Sequence, residues 1–232
     1  MIQAHDYEQQ TFGEKDLDEF QGPYNTAKVL SAAGKEDLRL LTLERQAHFA
    51  NRREKLPLVF LVGTPGSGEK LQAEALAKDS GLTIIDVEDV VRKKSIDKSY
   101  FYQSFLAECI ANSARPLTTL VVGIIEENIK EAAKGGQNWV VVVGFPDSIQ
   151  QLNGFQRQVQ KNTYTILLKS QQQPSDLLDK KYAAAIRDTT ELEKYLNATE
   201  GYLKVVHRPS DKISSKIKEA IVGFKRHRDQ SD

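Results

Sequence analysis

From Leu56 onward, short continuous apolar runs alternate with stretches of helical periodicity. Val59–Val62 reads as a buried strand, Lys70–Lys78 as a helix and Leu82–Ile85 as a second, short strand. Leu117, Leu120, Val121, Ile124, Ile125 and Ile129 then share one helical face behind Pro116, whose fixed φ suits a first helical turn. Gly135 and Gly136 close that helix, and "WVVVV" at 139–143 reads as a strand buried on both faces. "TYTILLK" at 163–169 and "YLKVV" at 202–206 are further strands, and 210–225 predicts a closing helix. Continuous apolar strands separated by helices imply an α/β fold, a three-layer sandwich with a mostly parallel central sheet covered by helices on both faces. Ligands of such sheets sit beyond the carboxyl ends of the strands.

Residues 1–55 follow a different pattern. "HDYEQQTFGEKDLDEFQGPYN" is polar and broken by Gly13, Gly22 and Pro23, which predicts an extended or weakly ordered arm. Residues 35–54 read as a helix, with Leu40, Leu43, Ala47 and Ala50 on one face. That face either packs on its own domain or docks another protein. The chain therefore divides into an N-terminal arm and helix, 1–55, and one domain, 56–232.

Composition narrows the functional classes. With 40% hydrophobic and 28% charged residues the chain is an ordinary globular one. Its 32 basic and 32 acidic side chains cancel, whereas a general nucleic-acid binder carries a basic excess. Cys109 is the sole cysteine and the four histidines lack ligand spacing, so no metal site is expected. "MIQAHDYEQQ" has no apolar core, and the longest apolar runs fall far short of the ~20 residues that cross a bilayer. A cytoplasmic chain or part of an intracellular assembly is the expectation, with no membrane partner.

Candidate chemistry gathers at "GTPGSGEKLQ", residues 63–72, between the first strand and the first helix. A glycine-rich turn in that position exposes backbone N–H groups, and the helix N-terminus adds positive potential, so the turn suits phosphate. Gly63, Gly66 and Gly68 supply the conformational freedom and Ser67 a hydroxyl. Phosphate loops of the form G-x-x-x-x-G-K-[ST] place a lysine after the last glycine, to reach the β and γ phosphates. Here that position holds Glu69, and the lysine follows one residue late as Lys70.

"GTPGSGEKLQAEALAKDSGLTIIDVEDVVRKK" resembles the start of the adenylate kinase and nucleoside monophosphate kinase family. That family reads G-x-P-G-S-G-K-G-T-Q, a helix, a second strand, then S-T-G-D-L-L-R. Asp89 and Arg92 fall on the last motif's aspartate and arginine. A third landmark, D-G-F-P-R with a glutamine four residues on, is matched by "VGFPDSIQQ" at 143–151, and "RPLTTLVVGII" resembles the family helix that begins V-P. The resemblance covers most of 56–170 and fades beyond. It implies a P-loop fold and a nucleotide site on Gly63, Pro65, Gly66, Ser67, Gly68, Glu69, Lys70, Arg92, Gly144 and Gln151, with ATP and Mg as cofactors of a functional site.

The departures fall on groups that neutralise phosphate charge. Glu69 replaces the loop lysine, and Lys70 and Leu71 take the family's glycine and threonine positions, removing a magnesium-holding hydroxyl. Val143 replaces an aspartate and Asp147 an arginine, while Val87 and Glu88 stand where threonine and glycine would receive the acceptor. After "TILLKS" the family carries a lid with several arginines; here the segment is shorter, and Arg187 is the sole arginine between 158 and 207. Unit charges ~4 Å apart interact by ~4 kcal/mol at an effective dielectric near 20. Exchanging that attraction for repulsion weakens triphosphate binding by several kcal/mol, and arginine loss at the transferring phosphate costs ~10³-fold or more. The reading that follows is a catalytically degenerate domain of this kind, a structural or protein-interaction subunit. The family's occurrence in axonemes and other large assemblies implies a cytoskeletal or ciliary setting. Two alternatives stay open: an active kinase using Lys70, and a nucleotide-binding regulatory module without catalysis.

Overall fold

The structure, a computed structural model, describes residues 56–64, 66–135, 139–161, 163–171, 180–199, 201–208 and 211–229. The arm and helix expected within 1–55, and Pro65 of the loop, lie outside the described residues.

Five strands, β1 (Leu58–Gly63), β2 (Thr83–Asp86), β3 (Val140–Val143), β4 (Tyr164–Ser170) and β5 (Tyr202–His207), form one sheet in the order β2-β3-β1-β4-β5. Every pairing is parallel. Among the described residues seven helices lie between and after the strands: α1 (Glu69–Ser80), α2 (Val87–Ile96), α3 (Gln103–Ala111), α4 (Thr118–Lys134), α5 (Ile149–Gln158), α6 (Lys180–Leu196) and α7 (Ser214–Asp229). Parallel neighbours cannot be joined by tight hairpins, so the helices serve as crossovers and cover both faces of the sheet.

Alternation along β1 divides the core in two. Leu58, Phe60 and Val62 face a cluster built with α2, α3, α4, α5 and α6, while Val59 and Leu61 face α1 and α7. On the first face Phe60 meets Phe145 and Phe155 edge-on, with centroids 5.5 and 5.0 Å apart. On the second, Tyr164 stacks between Trp139 and Phe224.

The strands lie where the apolar runs predict them, to within a residue or two. Some boundaries differ for local reasons. Pro116 does not open α4; Leu117, extended at ψ 137°, is the cap and Thr118 the first helical residue. Asp86 and Ser148 cap α2 and α5, accepting from the N–H groups of Asp89 and Gln151. Part of the segment read as a shortened lid is the continuous helix α6, anchored in the core by Leu192 and Leu196.

Candidate functional site

Register brings three strand ends level: Leu61 pairs with Val143, and Val143 with Asp86. The glycine-rich loop leaves β1 at that edge, and α1 starts behind it. Thr64 N–H donates to Leu168 O (3.1 Å), and Ser67 N–H donates back to Thr64 O (2.8 Å). Gly66 and Gly68, at φ 81° and 71°, adopt the left-handed conformation that a side chain disfavours, which lets the chain turn directly into the helix.

The first residue of α1, Glu69, spans the two ends of this loop. Fully buried Ser67 donates its Oγ hydrogen to Glu69 Oε2 at 2.6 Å. A Cβ added at Gly63 would lie 1.9 Å from Ser67 Oγ and 2.5 Å from Glu69 Oε2, so the carboxylate rests against the backbone where the loop begins. The first N–H groups of a helix lack intrahelical acceptors and carry partial positive charge. Such a field suits a bound phosphate; here the first helical position carries a carboxylate, Glu69, whose hydrogen bond comes from Ser67.

Lys70 turns elsewhere. Its Nζ donates to Asp89 Oδ1 at 2.8 Å and lies 3.2 Å from Asp86 Oδ2, tying α1 to the start of α2. The hydrogen bond to Asp89, and then that to Asp86, hold the ammonium well above its ordinary pKa. The same bond to Lys70 holds Asp89 below the usual carboxylate range. Arg92 reaches back one turn to Glu88, 2.5 Å away on an exposed face. Gln151 is buried and accepts from Asp147 N–H at 3.0 Å, fixing the turn after Gly144 (φ 74°) and the cis Phe145–Pro146 bond.

Two residues that sequence reasoning did not single out, Arg115 and Asp188, join Asp147 in one ion-pair cluster. Arg115 lies 3.1 Å from Asp147 Oδ2 and 3.3 Å from Asp188 Oδ2, clamping the start of α5 to α6. Burial raises the Asp147 carboxyl, against the pull of Arg115, and its Oδ1 is buried without a hydrogen-bond partner. Arg187, the one arginine the sequence offered as a lid cation, is exposed, and its neighbour Asp188 makes the contact instead. Nothing in the local pattern of "ARPL" announced a partner over 70 residues away; a basic residue opposite the anomalous Asp147 was the available signal. Among the described residues no group of three or more His, Cys, Asp or Glu is placed to hold a metal.

The sequence has counterparts among known proteins. The uridylate kinase of Saccharomyces cerevisiae is 20% identical over 125 residues, 54% of this chain and 60% of that protein. An adenylate kinase of Buchnera aphidicola subsp. Cinara cedri is 28% identical over 111 residues, covering 48% and 50%. The chain is related to the nucleoside monophosphate kinases. A further adenylate kinase, from Buchnera aphidicola subsp. Baizongia pistaciae, reaches 33% identity over 94 residues, 40% of this chain and 42% of that protein. The chain thus spans about half the length of the curated relatives it matches. No family model matches it. The five-stranded parallel sheet flanked by helices is an α/β P-loop kinase-like fold, consistent with these relatives. No helix among the described residues is long and apolar enough to cross a membrane.

Proposed function

We propose that the chain is a catalytically degenerate nucleoside monophosphate kinase-like domain, serving as a structural or protein-interaction subunit of a larger intracellular assembly. One observation carries the loss of catalysis: the Glu69 carboxylate, hydrogen-bonded to buried Ser67, lies across the loop that would cradle phosphate. Relatives named as kinases imply ATP and magnesium for any transfer, and the residues present do not fit that pair. Leu71, 68% exposed, offers no hydroxyl to a cation, and Val143 is buried in β3 without a carboxylate. Lys70, Arg92 and Arg115 are engaged by Asp86, Asp89, Glu88, Asp147 and Asp188. Recruiting Lys70 to a terminal phosphate would strand two carboxylates at the end of β2.

The subunit role rests on what the domain keeps. Two packed cores and the ion pairs near the loop maintain a kinase-like frame, while residues 1–55 supply chain for contact with other proteins, in an assembly of the cytoskeletal or ciliary kind. A coupled assay of the purified chain with ATP, magnesium and each nucleoside monophosphate tests the reading. Turnover far below ~1 s⁻¹ is expected; turnover in the enzymatic range of ~1–100 s⁻¹ would contradict it.

A further inference from the structure

The α2–α3 corner is an apolar surface with a lysine-rich rim. Ile96 and Phe101 are each 74% exposed, the highest values among the large apolar side chains described. Single exposed apolar residues are commonplace, but these two stand in one tight turn. Tyr100 N–H donates to Asp97 O at 2.9 Å and Gln103 N–H to Tyr100 O at 2.9 Å. Gln103 Nε2 ties the turn to Ser95 O at 2.6 Å. The Phe101 ring packs edge-on against Tyr102, with centroids 4.9 Å apart. The corner is therefore held in shape from beneath, with its apolar side chains facing outward.

Between 93 and 101 the chain carries three lysines and one aspartate. Lys94 is spent on Glu127 at 2.9 Å, and Asp97 is turned to the N–H and hydroxyl of Ser99. Lys93 and Lys98 are exposed; Lys93 is also within electrostatic reach of Asp89, one turn back, and Lys98 is the less engaged of the two. The surface calls for an occupant with large apolar side chains spaced by carboxylates.

We propose that this occupant is the chain's own segment 12–20, "FGEKDLDEF". It carries Phe12, Leu17 and Phe20 among Glu14, Asp16, Asp18 and Glu19, against the single cation Lys15. The match is one of both kinds, apolar to apolar and acidic to basic. Reach is ample. The 35 residues from Gln21 to Lys55 span up to ~115 Å when extended, several times the ~16 Å radius of gyration of a domain this size. The other basic surface, on α7, suits the segment less well. Lys216 and Arg226 are exposed on α7, but its exposed large apolar residue, Val222, is only 38% exposed, and Lys225 is drawn over the Trp139 ring.

Zero-length carbodiimide coupling of carboxylates to lysines in the full chain, read by mass spectrometry, tests the docking. Asp16, Asp18 and Glu19 should couple to Lys93 and Lys98 in excess over Lys216 and Lys218. The Ile96→Ser/Phe101→Ser double variant should reduce that yield about tenfold or more, which corresponds to ~1.4 kcal/mol. Both positions are exposed, and unchanged circular dichroism would confirm that the variant is folded. A mixture of ¹⁵N-labelled and unlabelled chains should give cross-linked peptides of uniform label. Mixed-label pairs would overturn the proposal in favour of a second copy. Preferred coupling to α7, or no coupling between segment 12–20 and the corner in the unmodified chain, would overturn it outright.

Discussion

At residue 69 the chain places a carboxylate where the resemblance leads one to expect a lysine. A glutamate at the first position of α1 interacts favourably with the helix N-terminus, and Ser67 supplies its hydrogen bond at 2.6 Å. One position later the side chain starts about 100° around the helix axis, where Lys70 meets Asp86 and Asp89 rather than the loop. The residue types were legible in the sequence; their directions were not, because a one-residue shift changes the face without changing the composition. The same physics governs Glu193, with a measurable consequence. Burial opposes its ionisation, but hydrogen bonds from Lys204 at 2.5 Å and Lys169 at 3.3 Å outweigh it and hold the carboxyl below its ordinary value. A carboxyl lowered by folding adds stability above its unfolded pKa, and that stability is lost as pH falls through the folded value. Glu193→Gln should therefore cost about 1–2 kcal/mol at pH 7, discounted because both lysines are more than a third exposed. The cost should vanish in strong acid. Urea unfolding of both forms across acid to neutral pH measures it; a cost independent of pH would contradict the assignment.

Elements differ in how openly the chain declares them. β1 and β3 are continuous apolar runs buried on both faces, and no other element type accommodates four to six such residues between turn signals. The helices α3 and α6 were harder to see. α3 is nine residues with only Leu106 and Cys109 buried, too short for a clear period. α6 sits in a segment whose resemblance suggested a lid, yet Ala184, Leu192 and Leu196 are buried. α7 lies beyond the stretch where the family resemblance is clear, but it closes the second core through Ile217 and Ile221. Ile217 is fully buried. Ile217→Ala should destabilise the domain by about 2–5 kcal/mol, the usual range for a large aliphatic side chain removed from a packed interior. A thermal or urea midpoint unchanged by the substitution would show that α7 is dispensable to the fold.

Over the whole molecule, order and charge part company. The sheet order β2-β3-β1-β4-β5, the loop after β1 and the turn at Gly144 keep a nucleotide-kinase frame. Lys70, Arg92 and Arg115, the cations nearest the motifs that resemble the family's, are paired with carboxylates. Neutral composition overall concealed this, since 32 basic and 32 acidic residues say nothing of which cations are already paired. Placing Arg115 opposite Asp147 and Asp188 took coordinates, because pairs 32 and 73 residues apart leave no local pattern. The central claim is that Glu69 closes the loop to phosphate. Calorimetric titration of the full chain with magnesium-ATP, beside the Glu69→Lys variant, tests it most directly. The account predicts binding weaker than ~1 mM for the unmodified chain and at least a tenfold gain for the variant, ~1.4 kcal/mol. Micromolar binding by the unmodified chain, weakened by Glu69→Lys, would contradict it.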